Sequence, residues 1–512
     1  AESPHRAGLY WTGSDDGLVH VSADGGATWE NVTGNIPGIP ALTWVSEVVP
    51  SRYAEGRAYV SVDAHLENDY SPYVWVTEDF GQTFRPITSG LEGQNVRTLT
   101  EDHRNPDVLY AGTETGVFVT LDRGESWRRI RANLPTVRVD EITLHERDNA
   151  MLVATHGRAL FVLDHTEPIQ EYRPTMAEGG PAKLFTIPDA LQWKSLDDRN
   201  DEFWGHQFFV GENPPTDAII NVHVMDEVDD LALHVHDRTG ALVRTIEAPE
   251  DRRMPGIRTI CWDQRVQPIA PPDLGDDDEQ GGGGFGGGGG DEIEGIPAPQ
   301  PEAGFRSRNL CAGMNTPGTD GPYVTPGDYR VDLVANGEVV DSKSMTIHQD
   351  PEVRMSTTER VAYDNILNDL HDQRRAGTAA AARLTRLYRS MEDAADEIEN
   401  SDVPDDVEDD FEAFREEFDE IRGEFGVPLG GGGGRRFGGG GGAGALGAVA
   451  GIGGEIGAFW EAPSDALVQR YYAAKADLAA AMRRVEPFME RARAVSASLA
   501  DEGIEMEVPG GM

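Results

Sequence analysis

One stretch of the sequence, "VDAHLENDYSPYVW" (62–75), concentrates side chains that could carry chemistry: Asp63, His65, Glu67, Asp69 and Tyr70. Two carboxylates at a suitable separation can act as acid and base in glycoside hydrolysis. Carboxylates beside an imidazole can instead hold a divalent cation, with oxygen ligands favouring Ca²⁺ and nitrogen favouring a transition metal. The structural alternative is a loop held together by its own hydrogen bonds.

Comparable polar residues occur in three shorter turns, "GSDDG", "GTETG" and "THGR". Each turn follows one alternating apolar run and precedes another, so it is expected to connect two strands. The predicted ligand-binding residues are Asp15, Asp16, Asp63, His65, Asp69, Tyr70, Glu114, His156 and Arg158. The catalytic candidates among them are Asp63, Asp69 and Glu114. For the last turn, the alternative is that its His and Arg only pin a blade by hydrogen bonds.

These turns belong to an internal repeat. The copies are "LYWTGSDDGLVHVSADGGATWENV" (9–32), "AYVSVDAHLENDYSPYVWVTEDFGQTFRPI" (58–87) and "VLYAGTETGVFVTLDRGESWRRI" (108–130), with a degenerate fourth at 151–168. Each copy reads as a strand, a polar turn, a second strand, a box Ser/Thr-x-Asp-x-Gly-x-Ser/Thr-Trp/Phe, and a third short strand. The repeat therefore predicts most of a four-stranded blade, used several times.

The box residues have predicted structural roles rather than catalytic ones. The Asp accepts backbone N–H groups in a tight turn, the Gly supplies unusual backbone angles, and the aromatic residue packs the turn against its blade. The box residues are Ser22, Asp24, Gly26, Thr28, Trp29, Thr77, Asp79, Gly81, Thr83, Phe84, Thr120, Asp122, Gly124, Ser126 and Trp127.

The box resembles the Asp-box, or bacterial neuraminidase repeat, of sialidases, sortilin-type receptors, oligoxyloglucan hydrolases and the photosystem II assembly factor. The order "GTETGVFVTLDRGESW", "ANLPTVRVDEITLHERDN", "LVATHGRALFVLD" is similar to the closing blades of exported bacterial proteins labelled sortilin-like or glycosyl hydrolase. The resemblance implies a β-propeller whose boxes lie on the outer rim, away from the ligand site. The clustered arginines and the Tyr/Glu nucleophile pair of sialidases are not evident, which argues against that activity.

The predicted fold class is mainly β with an α C-terminal part. Residues 1–170 form about four propeller blades, fewer than the relatives carry, so we expect the C-terminal part of a larger propeller or an open arc completed by a partner chain. Residues 171–350 are predicted to form an immunoglobulin-like sandwich with a disordered Gly-rich loop at about 275–300. A helical region at 351–428, a Gly/Ala-rich linker at 429–462 and a helix at 463–506, kinked near Pro487, complete the helical hairpin or bundle.

Composition narrows the functional classes. The chain of 512 residues has a formal net charge of -46, which argues against nucleic acid or an anionic membrane as a partner. No apolar run is long enough to span a membrane. The two cysteines, Cys261 and Cys311, either pair in an exported protein or remain free. The chain begins at Ala1, from which we expect a processed or cut N-terminus.

Three functions remain. We expect a secreted, periplasmic or cell-surface propeller protein that binds a glycan, peptide or protein on the face opposite the boxes. The first alternative is a glycoside hydrolase that uses carboxylates of that face, and the second is a structural or assembly factor. We expect no cofactor, apart from a divalent cation as an alternative at the Asp63–Asp69 loop.

Overall fold

A computed structural model describes residues 1–131, 133–173, 176, 179–193, 216–271, 311, 314, 319–427 and 444–510. The chain divides into two compact units, Ala1–Gly180 and Pro181–Met512, called unit 1 and unit 2. The predicted Gly-rich loop at about 275–300 lies outside the described residues. No described helix is both long and apolar enough to cross a membrane.

The described strands of unit 1 form four antiparallel sheets in chain order, here called blades 1 to 4. Neighbouring strands in the sequence are neighbours in each sheet, as expected for a propeller blade. The strands are β1 (Tyr10–Gly13), β2 (Val19–Ser22) and β3 (Glu30–Asn31) in blade 1; β4 (Trp44–Pro50), β5 (Ala58–Asp63), β6 (Tyr73–Thr77) and β7 (Arg85–Pro86) in blade 2; β8 (Val96–Glu101), β9 (Leu109–Thr113), β10 (Gly116–Thr120) and β11 (Arg128–Arg129) in blade 3; and β12 (Val139–His145), β13 (Ala150–Thr155) and β14 (Leu160–Leu163) in blade 4. A short helix α1 (Glu167–Glu171) follows.

The core of unit 1 lies between consecutive blades. Trp11 and Val19 of blade 1 pack with Val60 and Trp75 of blade 2, and similar apolar clusters join blade 2 to blade 3 and blade 3 to blade 4. Strands that are apolar on both faces are expected where a sheet is covered on both sides. The predicted fold class, propeller blades followed by a sandwich and helices, is confirmed.

The first strands of blades 2, 3 and 4 share an irregularity in their pairing with the second strands. In β4, β8 and β12 the register with the second strand shifts by one residue, between Val45 and Glu47, Val96 and Thr98, and Val139 and Glu141. The extra residues are Ser46, Arg97 and Asp140. Because a β-bulge re-aims the side chain of the extra residue, equivalent residues of consecutive blades project from equivalent points.

Unit 2 begins with two sheets in the order β15-β17-β20 and β16-β22-β21-β18-β19. Their inner faces share one apolar core that includes Trp262 and Leu333, as in a sandwich. Cys261 and Cys311 form a disulfide, which settles the pairing that the sequence left open. The strands are β15 (Ala182–Leu184), β16 (Ala190–Gln192), β17 (Ala218–Val224), β18 (Leu231–His236), β19 (Leu242–Glu247), β20 (Gly256–Trp262), β21 (Gly327–Ala335) and β22 (Glu338–Gln349).

The remaining described residues of unit 2 contain α2 (Thr357–Glu399), α3 (Asp405–Phe425), α4 (Ala445–Gly457) and α5 (Asp465–Asp501). Ser356 caps α2 in a capping box with Glu359. Helix α4 lies inside the stretch expected to be a Gly/Ala-rich linker. The stretch is helical because its apolar residues recur every three or four positions and are buried with the other helices. Helix α5 runs through Pro487 as one element.

Candidate functional site

The three box turns share one hydrogen-bond pattern. In blade 3 the Asp122 carboxylate accepts the Ser126 N–H at 2.9 Å and its hydroxyl at 2.6 Å, while the Thr120 hydroxyl accepts the Gly124 N–H at 2.9 Å. Asp24 and Asp79 make the equivalent bonds in their turns. The bonds from Thr28 lower the pKa of Asp24 to about 2. Each box aspartate therefore accepts N–H and hydroxyl groups within its own turn.

The box aromatic residues pack differently in the different blades. Trp127 is 4% exposed and its indole N–H donates to the Ile87 carbonyl of the preceding blade at 2.8 Å. Trp29 of blade 1 is 44% exposed, and its indole N–H donates to Gly26 within its own turn. The expected packing of this turn is thus incomplete at Trp29, because none of the described blades of unit 1 lies on that side of blade 1.

At the opposite edge of the blades, which we call the site face, the second strand of blades 2, 3 and 4 turns into the third; in blade 1, whose three described strands correspond to the last three of the other blades, the equivalent turn joins β1 to β2. Asp63 ends β5, Glu114 directly follows β9, His156 directly follows β13, and Asp15 lies two residues after β1. The repeat therefore places these four predicted residues at corresponding points of successive blades.

Asp63 lies at the centre of a hydrogen-bond network, and its own carboxylate has no exposed surface. One oxygen accepts the Asn95 amide at 2.6 Å, the His65 backbone N–H at 3.0 Å and the His65 Nδ1–H at 2.6 Å. The other oxygen accepts Arg97 at 2.6 Å. Burial raises the pKa of Asp63, but the donors of His65, Asn95 and Arg97 outweigh it and the pKa is lowered. Asp63 is therefore an ionised anchor of the site face rather than a proton donor.

Arg97, the extra residue of the bulge in β8, connects three blades. Besides Asp63 of blade 2, its guanidinium lies 3.5 Å from the Glu114 carboxylate of its own blade and 3.2 Å from the Asp140 carboxylate of blade 4. Its guanidinium carbon also lies 5.5 Å from the centre of the Trp44 ring, within cation–π range. One arginine thus holds together the site-face edge of blades 2 to 4.

The network continues through blade 4. Arg138 donates to Asp140 at 2.8 Å, and His156 Nδ1 lies 3.1 Å from the same carboxylate. Burial raises the pKa of Asp140, but Arg138, His156 and Arg97 lower it, and the net shift is downward. The imidazole of His156 remains largely exposed. Glu114 and Asp140 each keep part of their carboxylate at the surface.

Other predicted residues are placed outside this network. The Asp69 carboxylate accepts the Tyr73 hydroxyl at 2.7 Å and the Ser71 N–H at 2.9 Å, so it stabilises its own loop. Asp16 contacts the Ser14 hydroxyl. Tyr70 is exposed, and so are Asp15, Glu67 and Arg158.

Sequence reasoning missed five members of the network: Trp44, Asn95, Arg97, Arg138 and Asp140. All lie on or just before the first strands of blades 2 to 4, whereas the predicted residues lie in the turns and boxes. A signal was present, because "TWVSEVV", "QNVRTLT" and "VRVDEIT" share a Val followed by the bulge residue. Aligning these segments would have brought the bulge residues into one column.

The geometry offers fixed donors and acceptors beside an exposed aromatic ring. Within the described residues, no group of three His, Cys, Asp or Glu side chains is arranged to hold a metal ion. The Asp63 oxygens already accept four hydrogen bonds, so this carboxylate has little capacity for a cation. The arrangement is suited to recognition of a polar ligand with an apolar face.

Comparison with known proteins gives a partial family match. The family model Sortilin-Vps10, described as sortilin, neurotensin receptor 3, matches residues 72–202. Among curated proteins, none matches this sequence. The predicted resemblance to sortilin-like proteins is thus confirmed over residues 72–202 only.

Several solved structures resemble the chain in part. The GH74 xyloglucanase from Xanthomonas campestris is 17% identical, with a TM-score of 0.26, over 32% of this chain and 28% of that one. The GH74 enzyme of Niastella koreensis is 10% identical, with a TM-score of 0.27, over 52% and 38%. YCF48 bound to D1 peptide is 11% identical, with a TM-score of 0.20, over 31% and 62%. The chain therefore spans less than two thirds of each of these structures.

Proposed function

We propose that unit 1 binds a glycan, peptide or protein ligand on its site face. The observation that carries the proposal is the continuous network from Asp63 through Arg97 to Asp140 and His156. Contacts that cross three blades fix the positions of polar groups before a ligand arrives. Such preorganisation lowers the entropy cost of binding.

The surface around the network has the character of a recognition site. Trp44 presents an exposed ring beside Arg97, and Leu66 and Tyr70 are exposed on the adjacent loop. Aromatic side chains next to fixed polar groups supply contact area and orientation for sugars or peptides. The structural or assembly alternative leaves this exposed ring without a role.

The proposed location is outside the cytosol. The disulfide between Cys261 and Cys311 supports an oxidising compartment, where such bonds persist. The net charge of -46 supports a partner other than nucleic acid. No cofactor is part of this proposal.

A glycoside hydrolase is the second candidate, and the half-exposed carboxylates of Glu114 and Asp140 favour it. Because the lowered pKa of Asp63 keeps that group ionised, the acid would have to be another carboxyl. Turnover of a polysaccharide panel that disappears in Glu114→Gln, but persists in the box-edge control Glu125→Gln, would support the enzyme. Binding without turnover supports recognition alone.

The test is binding of the full chain to oligosaccharide and peptide arrays, with the strongest hits measured by calorimetry. Trp44→Ala should weaken binding at least about tenfold, the loss typical of an aromatic anchor. Phe80→Ala is the matched control, since Phe80 is 37% and Trp44 38% exposed, and Phe80 lies at the box edge. Equal affinity of wild type and Trp44→Ala, or no hit on any array, would contradict the proposal.

A further inference from the structure

His65 presents one edge of its imidazole ring at the site face. The short 3-10 turn His65–Glu67, which follows β5, places the ring beside the end of that strand. Its Nδ1 lies 2.6 Å from an Asp63 oxygen, and the side chain is 25% exposed. Among the described residues, no group donates a hydrogen bond to the other ring nitrogen, Nε2. This edge of the ring is therefore open to a ligand.

The partners of Asp63 determine which nitrogen of His65 carries the hydrogen. The Asp63 carboxylate, ionised beside Asn95 and Arg97, only accepts hydrogen bonds. The 2.6 Å contact between this carboxylate and Nδ1 therefore requires a hydrogen on Nδ1. In the neutral ring, Nε2 then has the lone pair and is an acceptor. His65 thus has a fixed tautomer, with its acceptor directed away from Asp63.

His156, on the same face, is not fixed in this way. Its Nδ1 lies 3.1 Å from an Asp140 oxygen and also contacts a guanidinium nitrogen of Arg138. The carboxylate requires a hydrogen on Nδ1, whereas the guanidinium requires a lone pair there, so the two contacts favour opposite tautomers. A ligand group therefore meets a defined acceptor at His65 but not at His156.

The acceptor on His65 is uncharged, unlike the carboxylates around it. The network carboxylates that already face the guanidinium of Arg97 are Asp63, Glu114 and Asp140. An ammonium or guanidinium group gains most from an ionised partner. The lone pair of a neutral imidazole instead matches the neutral hydroxyl group as a donor.

We infer that His65 Nε2 accepts a hydrogen bond from a hydroxyl group of a glycan bound at the site face. This inference rests on the proposed function and makes the ligand a glycan rather than a peptide. The exposed ring of Trp44 pairs in the strand register with Asp63, so it lies at the same end of the sheet. An aromatic surface beside a few fixed polar groups is the usual make-up of a small-molecule site.

The first test separates recognition from structure in the full chain. In His65→Asn, the shorter amide can still donate to Asp63 from the place of Nδ1, but the Nε2 acceptor is removed. Calorimetry with the strongest glycan hit of the array should show an affinity about three- to tenfold lower, the loss expected for one hydrogen bond. The denaturation midpoint should stay at the wild-type value.

His145→Asn is the matched control. The Nδ1 of His145 also faces an aspartate oxygen, 3.1 Å away in Asp148, but this pair lies at the box edge. The control should bind the same glycan as tightly as the wild type. A glycan whose affinity falls in Trp44→Ala but not in His65→Asn would overturn the inference and leave the proposed binding site standing. Hits among peptides alone would overturn the assignment to glycans.

A second measurement on the wild-type chain does not depend on any variant. Diethyl pyrocarbonate forms a bond from its carbonyl carbon to an unprotonated imidazole nitrogen and releases ethanol and carbon dioxide. Mass spectrometry of peptides should show this modification at His65, and excess of the same glycan should slow it there but not at His145. An unmodified His65, or modification at the same rate with and without the glycan, would contradict an open Nε2 that binds the ligand.

Discussion

Asp63 shows how much the chemistry of a site depends on the partners of one carboxylate. The sequence marks it as a catalytic or cation-binding candidate, since an acidic residue beside a histidine fits both. Asp63 accepts four hydrogen bonds and is completely buried, so its role is to hold His65, Asn95 and Arg97 in place. A turn motif could not have revealed this, because two of the partners come from another blade.

Replacing Asp63 should therefore damage the fold of unit 1. Asp63→Asn puts an amide against the Asn95 and Arg97 donors, and we expect a loss of about 2–3 kcal/mol in the free energy of unfolding. Asp69→Asn, whose partners lie in its own exposed loop, should cost about 1 kcal/mol or less. Chemical denaturation of both variants measures the difference; equal losses would show that the Asp63 network is not a structural centre.

The box carboxylates should make the stability of their turns depend on pH in the acid range. Hydrogen bonds lower the pKa of Asp24 to about 2, and those of Asp79 and Asp122 are also lowered. Carboxyls with lowered pKa contribute stability above their unfolded value of about 4, and this contribution is lost as pH falls through the folded values.

Amide exchange of Ser126, whose N–H is bonded to Asp122, should therefore be protected at pH 5 and lose protection as the pH approaches 2, after correction for the intrinsic rate. Asp122→Ala should remove that protection at pH 5 already. Glu125→Ala in the same turn should leave it unchanged. Protection that does not change with pH in the wild type would refute the role given to the box carboxylate.

Among the elements, the blades were the most predictable part of the chain. The period-two runs and repeated boxes define second and third strands, and both appear where the sequence places them. The first strands of blades 2 to 4 were harder to predict, because their bulge residues Ser46, Arg97 and Asp140 are of different types and only the preceding Val is shared. Helix α4 was missed because its glycine content resembles that of the adjacent tract, and burial against the other helices outweighs the low helix propensity of glycine.

The packing of box turns against the preceding blade can be tested at Gly124. It has a φ of +86°, and an added Cβ would lie 2.7 Å from the Ile87 Cβ of blade 2. Gly93 has a φ of +71° with open space around its Cβ position. Gly93→Ala should cost about 1 kcal/mol for the backbone alone, whereas Gly124→Ala should cost roughly 1–3 kcal/mol more from overpacking.

Denaturation midpoints of the two glycine variants give this comparison directly. Equal losses would mean that blades 2 and 3 are not in contact at this turn. A larger loss at Gly124 would show that the box contributes to contacts between blades as well as to its own turn.

At the scale of the whole molecule, the sequence predicts the class of fold but leaves the ligand undefined. The repeat brings Asp63, Glu114 and His156 to corresponding points because the blades are equivalent, and this could be argued without a structure. That Arg97 joins them through Asp63 and Asp140 depends on the bulge and on packing between blades. Such contacts between distant residues are not encoded in any single segment.

The most direct test of the proposed recognition site is hydrogen exchange of the full chain with and without its strongest array hit. We predict slower exchange, on ligand binding, in the amides of residues 44–46, 63–70, 95–97 and 138–140, with the box turns at 22–29, 77–84 and 120–127 unchanged. Protection confined to the box turns, or to unit 2, would contradict the assignment of the ligand site to the site face.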